Sequence, residues 1–199
     1  MWSQFRPAAS LILLFTLVLG VAFPVALSGF FGAVLPYQAN GSLLRRDGQP
    51  VGSALIGQDF AGPAWFHPRP SALTGTDPKD PAKTIPTPYD ASESGASNLA
   101  PTSAALVARV KAEAAKLGGG RLPADAVTTS GSGLDPDISP AFAALQVARV
   151  AQARGLPVGQ VRALVAVHTA GRWLGFVGEP RVNVLRLNLA LVGVVPTGR

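Results

Sequence analysis

The chain has no cysteine and only two histidines, and charged residues make up just 14% of it. The first absence excludes disulfides, thiolate metal sites and cysteine nucleophiles, and it leaves the redox compartment open. The two histidines, His67 and His168, are too few and too far apart for a transition-metal site. Charge is most conspicuously missing near the N-terminus, where no charged residue stands between Arg6 and Arg45. Within that stretch, Leu11 to Leu27 is almost wholly Leu, Ile, Val, Phe and Ala.

A helix rises about 1.5 Å per residue, so roughly 20 apolar residues cross a hydrocarbon core about 30 Å thick. An apolar run of that length has no polar face to offer water, which makes it a poor helix for a soluble domain. Pro7 to Leu35 therefore predicts one membrane-spanning helix, kinked at Pro24. A secretory signal also has a positive start and an apolar centre, and Ala26-Leu27-Ser28 fits a cleavage site. The run continues through Phe30, Phe31, Val34 and Leu35, longer than a signal core needs, which favours an uncleaved anchor. Charge barely orients it: Arg6 favours a cytoplasmic N-terminus, while Arg45 and Arg46 count against one.

About 160 residues follow the helix, room for one modest soluble domain. The net charge of +6 is scattered, with Arg45-Arg46 the densest pair, whereas nucleic-acid binders cluster their basic residues. Nucleic acid is therefore not an expected partner. Anionic lipid headgroups fit better, and an ordinary solvated surface is the simplest reading.

Asp47-Gly48 is a hairpin turn signal, with Ser42–Arg45 and Val51–Ile56 as flanking strands. From Ala61 to Pro101 prolines recur among Gly, Ser and Thr, which predicts a loop, either an extended ordered wrap or one whose centre, Gly75 to Thr87, is disordered. Helical spacing returns over Ser103–Leu117, with Leu106, Val110 and Leu117 on one face and Gly118-Gly119-Gly120 as the stop. Ser139 reads as an N-cap with Pro140 in the first helical position, and Gly155 ends that helix after Arg154. Leu156-Pro157 opens another, where Val158, Val161 and Val165 share a face. Val182–Leu191 fits either an alternating strand or a helix capped by Asn183, and the helix is preferred. The expected fold is thus a single N-terminal transmembrane helix (1–35) followed by one small α+β domain (36–199) with a Pro/Gly-rich loop at 61–101.

Few residues invite chemistry. Ser130-Gly131-Ser132-Gly133 admits a serine nucleophile, hence a membrane-anchored hydrolase, but no strand leads in and no base is evident. A turn explains the same residues. His67, beside Arg69, is either a base or anion partner or a histidine pinned by its flanking prolines. His168 is expected to pack at a helix end. Asp135 and Asp137 suit a hard cation, although further oxygen ligands are not apparent. Gly118-Gly119-Gly120-Arg121 lacks the Lys and hydroxyl of a phosphate loop and follows a helix instead of preceding one. No catalytic, metal or cofactor residue is assigned. In the apolar helix, Ala22, Ala26, Gly29 and Ala33 lie on one face, a candidate for close contact with partner helices.

The blocks QANGSL (38–43), GSALIGQ.F (52–60), FH.RPSA (66–72), SNL (97–99), SGLDP.ISP (132–140), RVA.ARGL (149–156) and VN.L.LNLAL (182–191) cover nearly the whole chain in order. Together they resemble the C subunit of the bacterial Kdp potassium-transporting ATPase. The resemblance implies a small, single-helix, non-pore accessory subunit of an ATP-driven K⁺ importer in the cytoplasmic (inner) membrane. It implies an N-terminus inside, a domain outside, and two partners: a pore-forming K⁺ subunit and a P-type ATPase subunit. ATP enters only through the family description, in which such subunits raise the nucleotide affinity of the ATPase subunit. The chain departs from the family's T-G-x-x-Q at Ser28-Gly29-Phe30-Phe31-Gly32, where Gly32 replaces the glutamine.

Overall fold

The computed structural model describes residues 2–193; Met1 and the end of the predicted domain, 194–199, lie outside them. The chain divides into two compact units, meeting in sequence between Val51 and Gly52.

The first unit is dominated by helix. After a single 3₁₀ turn at Trp2–Gln4 come α1 (Phe5–Leu17), a π-helical turn (Val18–Ala22) and α2 (Phe23–Val34), one continuous rod of 30 residues. Its most apolar window has a mean hydropathy of 2.5, and none of that window is buried by the rest of the chain. At about 1.5 Å per residue it is long enough to cross a hydrocarbon core with turns to spare. Pro24 acts here by changing the helical pitch. It has no N–H to return to the carbonyl one turn back, and the wide turn just ahead of it absorbs that loss, with the Phe23 N–H reaching back to the Val18 carbonyl. Short α3 (Pro36–Ala39) leads into β1 (Leu43–Arg46), which pairs with β2 (Gln49–Ser53). The turn is the one that Asp47-Gly48 specifies, with φ of 52° and 79° at its two central residues. The second strand stops at Ser53, three residues short of the predicted Ile56, because the Ala54 carbonyl turns aside to accept from Asn183 Nδ2 at 3.0 Å.

In the second unit, residues 75–87 correct the expectation of a disordered loop. Thr74–Asp77 (β3) and Asp80–Pro86 (β4) form an antiparallel hairpin, Thr74 opposite Pro86 and Thr76 opposite Thr84, with a register shift before Asp77. An isolated two-stranded ribbon has two free edges, so a proline with no N–H to donate need not break the ladder, and Pro78 sits in the turn itself.

The core is helical. It comprises α4 (Ala104–Lys116), the single turn α5 (Ala124–Val127), α6 (Pro140–Arg154), α7 (Val158–Val167) and α8 (Val184–Val192). Three very short strands pair in the order β5 (Asp137–Ile138), β7 (Arg181–Asn183), β6 (Thr169–Ala170), all antiparallel. Helix α6 is the centrepiece: Phe142, Ala143, Val147, Val150 and Ala151 are all buried, against α7 through Val161 and Val165 and alongside Val184, Leu187 and Leu191 of α8. Its limits are set locally. Ser139 Oγ accepts from the Phe142 N–H at 3.0 Å, Pro140 occupies the first turn, and Gly155 closes the helix at φ 65°. Asp125 of α5 grips the same serine, taking its N–H at 2.7 Å and its hydroxyl at 2.9 Å.

The ambiguous C-terminal segment is both things in turn. Arg181–Asn183 is a strand, and the Asn183 side chain then caps α8 by accepting from the Arg186 N–H. Val158, expected on the buried face of α7, is exposed at its first position, whereas Val161 and Val165 are buried. Helix α4 has no fully buried residue; Val110 and Leu117 pack on the core while Leu106 is half-buried. Gly118, Gly119 and Gly120 follow at φ of 83°, 72° and 84°, a left-handed run that ends the helix as predicted.

Candidate functional site

Residues Gly62–Trp65 turn over the core and Phe66–His67 follow with no strand beside them, yet the Ala64 carbonyl and both backbone groups of Phe66 and His67 find side-chain partners. Phe66 is fully buried, and Asn188 of α8 takes its N–H on Oδ1 and gives Nδ2 to its carbonyl, both at 2.9 Å. Gln146 of α6 does the same to His67, accepting its N–H at 2.7 Å and donating to its carbonyl at 3.1 Å. The two amides thus act as the missing neighbouring strand. Arg149 donates to the Gly62 and Pro63 carbonyls and to Gln146 Oε1. Arg154 donates to the Ala64 carbonyl at 2.6 Å, while its guanidinium lies 4.4 Å from the Trp65 ring centre.

A second knot brings together residues far apart in sequence. Arg69 pairs with Asp135 at 3.0 Å and donates to the Thr129 carbonyl, and its own carbonyl accepts from the Tyr89 hydroxyl at 2.7 Å. Burial raises the Tyr89 pKa well above the ordinary phenol value, so it remains a donor. Gly57 donates to the Leu134 carbonyl at 2.8 Å, and a Cβ there would collide with the Tyr89 ring and stand 2.6 Å from the Asp135 carbonyl. Only glycine lets these three strands of loop close.

Between α4, α6 and the wrap lies a cleft of about 570 Å³, lined among others by Asp59, His67, Arg69, Tyr89, Lys116 and Arg149. His67 lies half-buried in it, its Nε2 2.7 Å from the Gly62 carbonyl. Burial first, then the nearby Arg149 charge, hold its pKa below the usual histidine value against the pull of that carbonyl. Among the cleft's charges, Arg149 is already committed to the wrap and Arg69 to Asp135, and Lys116 pairs with Glu113 at 2.8 Å.

The sequence-flagged residues are thereby placed. Ser130 is only 2% exposed and its Oγ accepts from the Gly133 N–H at 2.9 Å; Ser132 Oγ accepts from the Leu134 N–H. Both are turn-closing serines, and each histidine ring is bonded elsewhere, His67 to Gly62 and His168 to the Leu164 carbonyl at 2.9 Å. The hydrolase alternative is not supported. Asp135 is taken by Arg69; Asp137 pairs with Arg181 at 3.0 Å and accepts from Asn183. Among the described residues no three His, Asp or Glu side chains gather as metal ligands. Ala22 closes the π turn, Ala26, Gly29 and Ala33 follow on α2, and all four are exposed.

Gln146 and Asn188, which build the wrap, were missed. A signal was present: Gln146 stands at i+4 from Phe142 and Asn188 at i+4 from Val184, polar residues on core-facing stripes.

Among the described residues these groups bind one stretch of the chain to another, in a chain that also carries a helix of membrane-crossing length. The family described as K⁺-transporting ATPase, c chain (KdpC), matches residues 5–192. A potassium-transporting ATPase KdpC subunit from Methylobacterium nodulans is 55% identical over 195 residues, covering 96% of this chain and 97% of the relative. Another from Methylorubrum extorquens is 55% identical over 196 residues, covering 96% and 98%. One from Rhodopseudomonas palustris (strain BisB18) is 53% identical over 195 residues, again covering 96% and 98%. The chain belongs to the KdpC family, subunits of the K⁺-transporting ATPase that are not enzymes by themselves.

Proposed function

We propose that this chain is the single-pass, non-pore accessory subunit of an ATP-driven K⁺ import complex in the inner membrane, with its N-terminus in the cytoplasm and the domain from residue 36 onward outside. It stabilises or regulates the complex formed with a pore-forming K⁺ subunit and a P-type ATPase subunit. The observation that carries the reading is the 30-residue apolar helix Phe5–Val34, no part of whose most apolar window is buried by the chain itself, in a chain that the family matches over residues 5–192. The small-residue face of Ala22, Ala26, Gly29 and Ala33 is where partner helices pack. In lipid, close backbone approach across Gly and Ala takes the place of a hydrophobic drive, and a Cβ on Gly29 would meet nothing within 4 Å of this chain.

The test is affinity purification of the tagged full chain from membranes in mild detergent, with identification of co-purifying chains. Recovery of a channel-like subunit and a P-type ATPase subunit is expected. A chain recovered alone, at normal membrane expression, would refute the assignment.

A further inference from the structure

We infer that the Arg172–Glu179 hairpin is a second membrane contact, dipping its apolar tip into the headgroup region of a bilayer containing anionic lipid. The hairpin grows out of β6 and β7, where Ala170 faces Arg181. Its shape is fixed before anything binds. Trp173 and Val177 exchange both backbone hydrogen bonds at 2.9 Å, and Glu179 takes the Arg172 guanidinium on both carboxylate oxygens at 3.1 and 2.8 Å. The tip spends this order on exposure: Trp173 is 69% exposed, Leu174 65% and Phe176 75%. Leu174 adopts φ 52°, a left-handed conformation that glycine or asparagine would adopt with less strain. Nothing within the fold rewards holding three large apolar side chains in water this way. An aromatic tip on a short hairpin is suited to the boundary between acyl chains and headgroups, where Trp concentrates.

Charge points to the same occupant. Residues 140–199 carry seven arginines and one glutamate, which leaves +6, the entire net charge of the chain. Arg162, Arg172, Arg181 and Arg186 are all exposed. Glu179, already in that sum, pairs with Arg172, and Asp137 offsets a further part beside the hairpin through Arg181. The remaining excess attracts phosphate headgroups within a Debye length of the surface. Affinity can be low, because a domain on the same chain as a membrane helix is never far from the bilayer and the contact is intramolecular in effect.

The inference rests on the helix crossing the membrane, and the experiment keeps the two apart. The cysteine-free full chain receives Phe176→Cys at its exposed position, carries a nitroxide there, and is reconstituted into phosphatidylcholine vesicles with and without phosphatidylglycerol. Flotation with carbonate-washed vesicles reports the anchor. Collision with oxygen against collision with a water-soluble nickel chelate reports the tip. The expected result is at least a threefold gain in the oxygen-to-nickel ratio over the same label at Thr102, larger with phosphatidylglycerol. Trp173→Ser should abolish that gain while flotation is unchanged. A chain that floats while its tip remains open to nickel in both lipids overturns the inference. So does a tip shielded only when the other subunits are present, which would make it a protein contact.

Discussion

Asn188 and Phe66, 122 positions apart, are joined by two 2.9 Å hydrogen bonds in which a side-chain amide stands in for a neighbouring strand. Asn188 is only 1% exposed and Phe66 is wholly buried, so neither backbone group of Phe66 has water as an alternative.

Asn188→Leu keeps the branching at Cγ, with somewhat more bulk, and deletes both bonds. Each buried, unpaired backbone group costs about 1–3 kcal/mol, so the variant should lose about 3 kcal/mol in denaturant unfolding. Gln146→Leu should lose less, because the His67 backbone is only partly buried. Equal losses for the two variants would show that burial is not what sets the cost.

His67 sets a pH dependence. Its folded pKa lies below the unfolded value near 6.5, so the unfolded chain binds the proton first as pH falls. Stability from this residue is complete above about pH 6.5 and is lost as pH drops through the unfolded value toward the folded one. His67→Gln keeps a donor for the Gly62 carbonyl and removes the titration. Between pH 7.5 and 5 the melting temperature of the native chain should fall further than that of the variant, and parallel curves would contradict the assignment.

The membrane helix should be sensitive to bulk on one face. Ala26→Leu and Gly29→Ile should each reduce recovery of the partner subunits several-fold at matched expression, while Leu17→Ile leaves it unchanged. If all three variants retain partners alike, the small residues are not the interface.

Topology can be read with single cysteines at Ser3 and Thr102, both exposed in this structure. In intact cells an impermeant thiol reagent should label Thr102→Cys and leave Ser3→Cys unlabelled until the membrane is opened. The opposite pattern reverses the proposed orientation.

What could be read from the sequence was local. Ser139, Pro140 and Gly155 fix α6 through contacts within a turn of themselves, so its limits were legible to the residue, and Asp47-Gly48 fixed its turn in the same way. The β3–β4 hairpin was not legible, because Pro78, Pro81 and Pro86 announce a loop and only the pairing of Thr74 with Pro86 shows that a ribbon tolerates them. What holds the wrap was hidden for a different reason. Its partners lie 79 to 122 residues downstream, and an Asn or Gln on a helix says nothing about which distant backbone it will hold.

That separation has a consequence for how the domain is made. The wrap leaves the ribosome soon after the anchor, but Gln146 and Arg154 follow only with α6, and Asn188 only with α8. Until then Phe66 has no pocket and its backbone no partner, so the domain cannot close progressively from its N-terminus during synthesis. Long-range contacts of this kind slow folding and prolong exposure. A chain stalled before Val184 should leave Trp65 emitting as a water-exposed indole, shifting to the blue only after the last helix is released.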